Sequence, residues 1–334
     1  MVRKLAVLLV TMCILLAAGC NSNNNTAGTN ADPDPAQNQK LALSVAGAPG
    51  PVSYPLAYMV QDNPDLDVQP WKTYDQLLSM ITAKQVKLAS SPINNAIMAY
   101  NKGFNIKLVN VSVWGMLYVV SSDSSIKEIK DLKGKEIAVH GQGNIHDLVF
   151  RHLLIQNGLD PDTDVQITYM DLSQASAQLI TGEVKYAVLN EPNASMALLN
   201  AKNSGVELAR VIDLQEEWAK IPGQENNRIP QAGYVAVVEA GVTPDEIAAF
   251  QASYSEAAKW VNEHQAEIGP MVENQTEWMK AAAVSESLKY ANLQPVAAAD
   301  CQDEVIAFFN ELSKTAPAAA LGGKQPDANF FFQE

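Results

Sequence analysis

The chain has 334 residues, of which 47% are hydrophobic and 18% charged, and it carries a formal net charge of −14. The length is enough for about two globular domains. The acidic balance argues against a nucleic-acid partner, which would reward basic patches, and against surface attraction to anionic lipid.

Arg3 and Lys4 precede an apolar stretch from Leu5 to Ala18, interrupted only by Thr11. A membrane-spanning helix needs about 20 apolar residues and the core of an export signal about 7–15, so this stretch reads as a signal. It ends in Leu16-Ala17-Ala18-Gly19-Cys20. That arrangement resembles the bacterial lipobox, in which the cysteine is acylated and becomes the first mature residue. The expectation is a signal peptide over residues 1–19 and a lipid membrane partner reached through acylated Cys20. The protein would then sit on the outer face of the bacterial cell membrane or in the periplasm. Residues 20–39 are rich in Asn, Thr, Gly, Pro and Asp without an apolar period, and read as a flexible tether. Cleavage removes Arg3 and Lys4 and takes the net charge to −16. Cys13 leaves with the signal and Cys20 is acylated, so Cys301 has no partner for an intramolecular disulfide.

From Lys40 the chain alternates strands and helices. "KLALSVAG" (40–47) predicts a strand followed by a Gly/Pro-rich loop. "TYDQLLSMITAKQ" (73–85) places Leu77, Leu78 and Ile81 at helical spacing. Residues 86–103 read strand, turn, helix, with Pro92 in the first turn and Gly103 at the stop. "IKLVNVSVW" and "LYVVSS" predict two strands. Residues 125–158 give a short helix, a turn at Gly134, a strand and a capped helix. "DVQITYM", "YAVLN", "VELARVID" and "GYVAVVEA" supply later strands, and the C-terminal third reads as helical. Such alternation argues for an α/β architecture.

Two stretches carry a resemblance. "DLKGKEIAVHGQGN" and, about 45 residues on, "QLITGEVKYAVLNEP" are similar to solute-binding proteins of ABC importers, in the nitrate/sulfonate/taurine group that includes binders of thiamine pyrimidine precursors. The resemblance covers most of residues 40–315. It implies a two-lobed periplasmic-binding-protein-like fold of type II, with mostly parallel sheets and two crossovers. Lobe I would be residues 40–119 and 233–334, and lobe II residues 120–232. It implies capture of a small molecule between the lobes, as a monomer, for delivery to an ABC permease and its ATPase. The alternatives are an enzyme on the same fold, such as a pyrimidine-synthase or menaquinone-pathway relative, and a lipid-anchored ligand sensor.

Ligands of open α/β sheets sit at the carboxyl ends of strands, where loops lead into helix N-termini. Five such loops are legible: 47–55, 90–95, 112–115, 140–144 and 190–195. They nominate Ser53, Tyr54, Ser90, Ser91, Trp114, Gln142, Gly143, Asn144, Asn190 and Glu191 as ligand-binding. Gly141 and Gly143 suit an anion or amide cradle, while His146 at the third position of Gly-x-Gly-x-x-Gly argues against a dinucleotide site. None of the five loops contains Lys or Arg. Glu191 with Tyr54, Tyr58 and Trp114 therefore predicts a neutral or basic heterocycle over a sulfonate or other oxyanion. His152 shares an apolar helix face and reads as packing. No nucleophile–base pair or zinc spacing is visible, so neither catalysis, a metal nor a cofactor is expected.

Overall fold

The structure is a computed structural model that describes residues 41–224, 226–276 and 279–333. The signal, the tether and Cys20 lie outside the described residues. The strands are β1 (Ser44–Gly47), β2 (Asp67–Pro70), β3 (Leu88–Pro92), β4 (Ile106–Val113), β5 (Leu117–Ser121), β6 (Glu136–Val139), β7 (Gln166–Tyr169), β8 (Tyr186–Asn190), β9 (Ala209–Asp213), β10 (Ala232–Val237) and β11 (Leu293–Ala297). The helices are α1 (Tyr54–Asp62), α2 (Tyr74–Thr82), α3 (Ile93–Asn101), α4 (Ile145–Gln156), α5 (Leu172–Thr181), α6 (Asn193–Asn203), α7 (Leu214–Trp218), α8 (Pro244–Glu263), α9 (Gln265–Gln275), α10 (Ala281–Ser287) and α11 (Ala298–Leu312).

Two sheets form. One has the order β11-β4-β10-β3-β1-β2 and the other β7-β6-β8-β5-β9. Both are mixed. β1 runs parallel to β2 and β3, while β10 lies antiparallel to β3 and β4. In the second sheet β6 is parallel to β7 and β8, and β5 is antiparallel to β8 and β9. The strands β4, β5 and β10 are buried almost throughout, which fits the near-continuous apolar sequences of β5 and β10. Helix starts follow local chemistry. The Thr73 side chain accepts from the Gln76 N–H to open α2, and Thr243 with Glu246 forms a reciprocal capping box at α8.

The sheets are mixed and not mostly parallel as the resemblance implied, because the strands that follow each crossover run antiparallel to their neighbours. The sequence reading leaves out α1 and β2, and one strand departs from it outright. β11 interrupts the stretch expected to be helical throughout. It is short, contains Pro295, and pairs only with β4 at the sheet edge. An edge position is where a strand tolerates the proline's missing N–H, and five residues are too few to show a period.

The chain crosses between the sheets twice. It leaves β4 at Val113 and enters β5 at Leu117, and it returns through residues 219–231 to β10. The crossovers are bonded to each other. Ile229 N–H donates to the Trp114 carbonyl at 2.9 Å and Gln231 N–H to the Val113 carbonyl at 3.0 Å. Gly115 has φ +133°, and a β-carbon there would stand 2.3 Å from Gln215 Cγ, so the first crossover needs glycine both for its backbone and for its space. Gln215 is buried and closes the crossover. Its Oε1 accepts from Leu117 N–H at 2.8 Å and its Nε2 donates to the Leu117 carbonyl at 3.1 Å. A single apolar cluster runs through both sheets, from Trp71 and Trp114 to Val139, Val188 and Trp218.

Candidate ligand cleft

The carboxyl ends of β1, β2, β3, β6 and β8 carry the candidate loops. In the first loop Val52 supplies an anchor, since its carbonyl accepts from Tyr234 Oη at 3.0 Å and from Tyr254 Oη at 2.6 Å. Tyr54 is buried, with its hydroxyl 3.2 Å from Ser287 Oγ. Burial, chiefly, raises its pKa well above the usual phenol value. Ser53 holds its hydroxyl beside that of Tyr234. The loop meets the second sheet directly. A β-carbon on Gly50 would lie 3.8 Å from Pro192 Cδ and 3.9 Å from the Glu191 carbonyl oxygen.

In the second loop Ser90 is fully buried and its Oγ accepts from Ala48 N–H at 2.6 Å, which ties two loops together. Ser91 turns its hydroxyl back to the Pro92 carbonyl at 3.0 Å. Tyr74 Oη donates to the Asn95 carbonyl at 2.9 Å and brings the β2–α2 connection to the same edge.

Trp114 is buried, its indole N–H donates to the Gln294 carbonyl at 2.9 Å, and the Arg228 guanidinium covers its face at 3.7 Å. Its ring is thus packed within the protein. The 140–144 turn is also committed internally. Gly143 N–H donates to Asp147 Oδ2 at 2.8 Å, and Asn144 Oδ1 accepts from His146 and Asp147 N–H at 3.0 and 3.3 Å. The Gly143 N–H expected to cradle a ligand is therefore engaged by the chain's own acceptor. Gln142 and Gly143 border a cavity of about 780 Å³ with Arg151, Asp162 and Thr315. Ser53 and Tyr54 border a different one, of about 480 Å³, with Leu56, Val68, Trp71 and Met279.

Glu191 is fully buried and does not stand alone. Arg210 Nε and Nη2 reach its Oε1 at 2.8 and 2.6 Å, and Arg210 Nη2 also donates to Ser195 Oγ at 2.7 Å. Burial still outweighs the arginine and raises the carboxyl pKa above its ordinary value. The absence of cations from the five loops misled on this point, because the matching cation arrives from β9. Asn190 holds Asn193 Nδ2 at 2.9 Å and lies beside His146. His146 is buried, and its pKa is pushed down to about 3, first by burial and then by neighbouring His140. His152 is a packing residue, with Nδ1 2.8 Å from Thr315 Oγ1 and its ring against Trp218.

Sequence reasoning named Ser53, whose Oγ is buried without a hydrogen-bond partner, and missed other groups of the same kind. Trp71 Nε1, Asn94 Oδ1, both amide atoms of Gln231 and both ring nitrogens of His146 are buried without a protein partner at hydrogen-bonding geometry. Trp71 directly follows β2, Asn94 lies in the first turn of α3 after β3, Gln231 directly precedes β10, and His146 lies in the first turn of α4. A buried polar group left unpaired costs about 1–3 kcal/mol, and such groups call for a specific account. Among the described residues no cluster of His, Cys, Asp or Glu is placed to hold a metal ion.

A family model described as NMT1/THI5 like matches residues 58–268. No curated protein matches the chain. Among solved structures, that of an ABC transporter from Parabacteroides distasonis aligns with a TM-score of 0.73 at 23% identity, over 88% of this chain and 100% of that one. The periplasmic aliphatic sulphonate binding protein SsuA from Escherichia coli aligns at 0.66 and 21% identity, over 87% and 92%. The periplasmic nitrate-binding protein NrtA from Synechocystis aligns at 0.56 and 13% identity, over 78% and 74%. At these identities the likeness is one of fold.

Proposed function

This chain belongs to the NMT1/THI5-like family, and from that premise we propose that it is an extracytoplasmic solute-binding protein. It captures a small organic molecule between two lobes, one built on the β11-β4-β10-β3-β1-β2 sheet and one on the β7-β6-β8-β5-β9 sheet, and delivers it unchanged to an ABC import permease and its ATPase. The lobe bounds lie at the crossovers and not at 119/120 and 232/233, which fall inside β5 and β10. Acylated Cys20 anchors it to the membrane, and it works as a monomer. The observation that carries this reading is the set of buried, unpartnered polar atoms of Trp71, Asn94 and Gln231, which follow β2, follow β3 and precede β10.

The ligand is a neutral heterocycle. Arg210 already matches the Glu191 charge, so a basic ring gains little from that carboxylate. His146 is uncharged at neutral pH, because its pKa is pushed down to about 3, and it offers an oxyanion no positive charge. Mass spectrometry of the protein purified under native conditions tests the reading. It should carry one small molecule and release it chemically unchanged, and appearance of a new product would assign an enzyme instead. Cys20→Ala should move the protein from the membrane fraction to the soluble one. Wild-type protein without lipid mass would remove the anchor from the proposal.

A further inference from the structure

We propose that Gln231 is a specificity-determining residue of the interlobe site, and that it selects a ligand presenting a donor beside an acceptor, the edge of a cis-amide. The inference rests on the solute-binding reading above. Gln231 stands in the returning crossover, one residue before β10, at the edge where β3 and β4 end. Its backbone is fixed on both sides, by its N–H to the Val113 carbonyl at 3.0 Å and by its carbonyl to Ile93 N–H at 3.2 Å. Its side chain is only 2% exposed, and neither Nε2 nor Oε1 has a protein partner.

That pairing of unmet groups defines a chemistry. One end of the amide donates and the other accepts, whichever way the amide is turned. A lactam or pyrimidinone edge offers the complementary pair in one plane. A sulfonate or nitrate offers acceptors alone. It satisfies Nε2 but sets an oxygen lone pair against Oε1, a buried acceptor that then stays unpaired. Gln231 thus works for a neutral amide-like ring and against an oxyanion. Asn94 lies next to Ile93 on the same edge and adds a second buried amide oxygen without a partner.

Calorimetric titration of the full chain with four probes tests this. Uracil and 2-pyrrolidinone carry the cis-amide edge, and methanesulfonate and nitrate do not. At least one cis-amide probe should bind, and Gln231→Leu should weaken it by about tenfold or more, with the oxyanions silent. Gln231→Glu, which keeps an acceptor and loses the donor, should do the same and serves if the leucine variant fails to fold. Thermal melting of each variant separates lost affinity from lost structure. Binding of methanesulfonate or nitrate that survives Gln231→Leu overturns the inference, as does cis-amide binding that the variants leave unchanged. A co-purifying compound without such an edge also overturns it while leaving solute capture standing. A protein that holds no probe and carries no compound overturns capture itself, and this inference with it.

Discussion

The Arg210 guanidinium lies 3.6 Å from the centre of the Tyr290 ring. Arg210 belongs to β9 of the second sheet, and Tyr290 precedes β11 of the first. Tyr118, from β5, adds a hydrogen bond from its hydroxyl to the Tyr290 carbonyl at 2.7 Å. The cation that matches Glu191 therefore also clasps the other sheet. Tyr290→Ala should remove about 1–2 kcal/mol from the contact between the sheets, the range for a desolvated cation–π contact. Small-angle scattering should show a larger radius of gyration in the variant. An unchanged profile would leave the contact with no role in closure.

Removing the arginine has a different consequence. Glu191 is fully buried, and Arg210→Met would strand its carboxylate. Breaking a buried pair from one side costs about 3–5 kcal/mol. Urea unfolding should show a loss of that size, with most of it recovered in the double variant Arg210→Met/Glu191→Leu. Equal losses in the single and double variants would mean that the charge is not what matters.

His146 makes stability depend on pH. Its folded pKa is near 3, against about 6.5 for an unfolded chain. Between those values the unfolded state binds the extra proton, so stability falls as pH drops below about 6.5. His152 is lowered in the same direction, chiefly by burial. From pH 7.5 to 5.5 His146 should account for about 1 kcal/mol. Urea midpoints across this range should flatten in His146→Gln. A wild-type slope retained in that variant would assign the acid sensitivity to other groups.

Gly115→Ala should cost about 1–3 kcal/mol, because alanine is strained at φ +133° and its methyl enters the space of Gln215. Pairing it with Gln215→Ala relieves the clash but not the strain. The double variant should therefore recover only part of the loss in thermal melting, and complete recovery would show that the backbone carries no strain there.

Most of the fold was legible because its strands and helices announce themselves locally. "YAVLN" and "LYVVSS" are apolar runs of strand length, and both are strands in the second sheet. β11 was not legible, since its proline and shortness hide a pairing decided by distant β4. The site was less readable for the same reason. Glu191 and Arg210 are neighbours only after β8 and β9 flank β5. The aromatic surface of Trp114 suggested a stacking platform until Arg228 and Gln294 closed around it. Gln231 sits in an irregular stretch with no period, and its backbone is held by Val113 and Ile93, far away in sequence.

The apolar cluster that runs through both sheets bears on how the molecule comes apart. Trp218 of α7 lies against Phe308 of α11 with ring centres 4.5 Å apart, and the same cluster takes in Trp71 and Val188. Neither sheet can melt without exposing side chains that the other covers. Heating should therefore give one calorimetric peak, with a van't Hoff enthalpy equal to the measured one. The apolar cluster between the sheets is, in this sense, the seam that makes the protein a single cooperative unit.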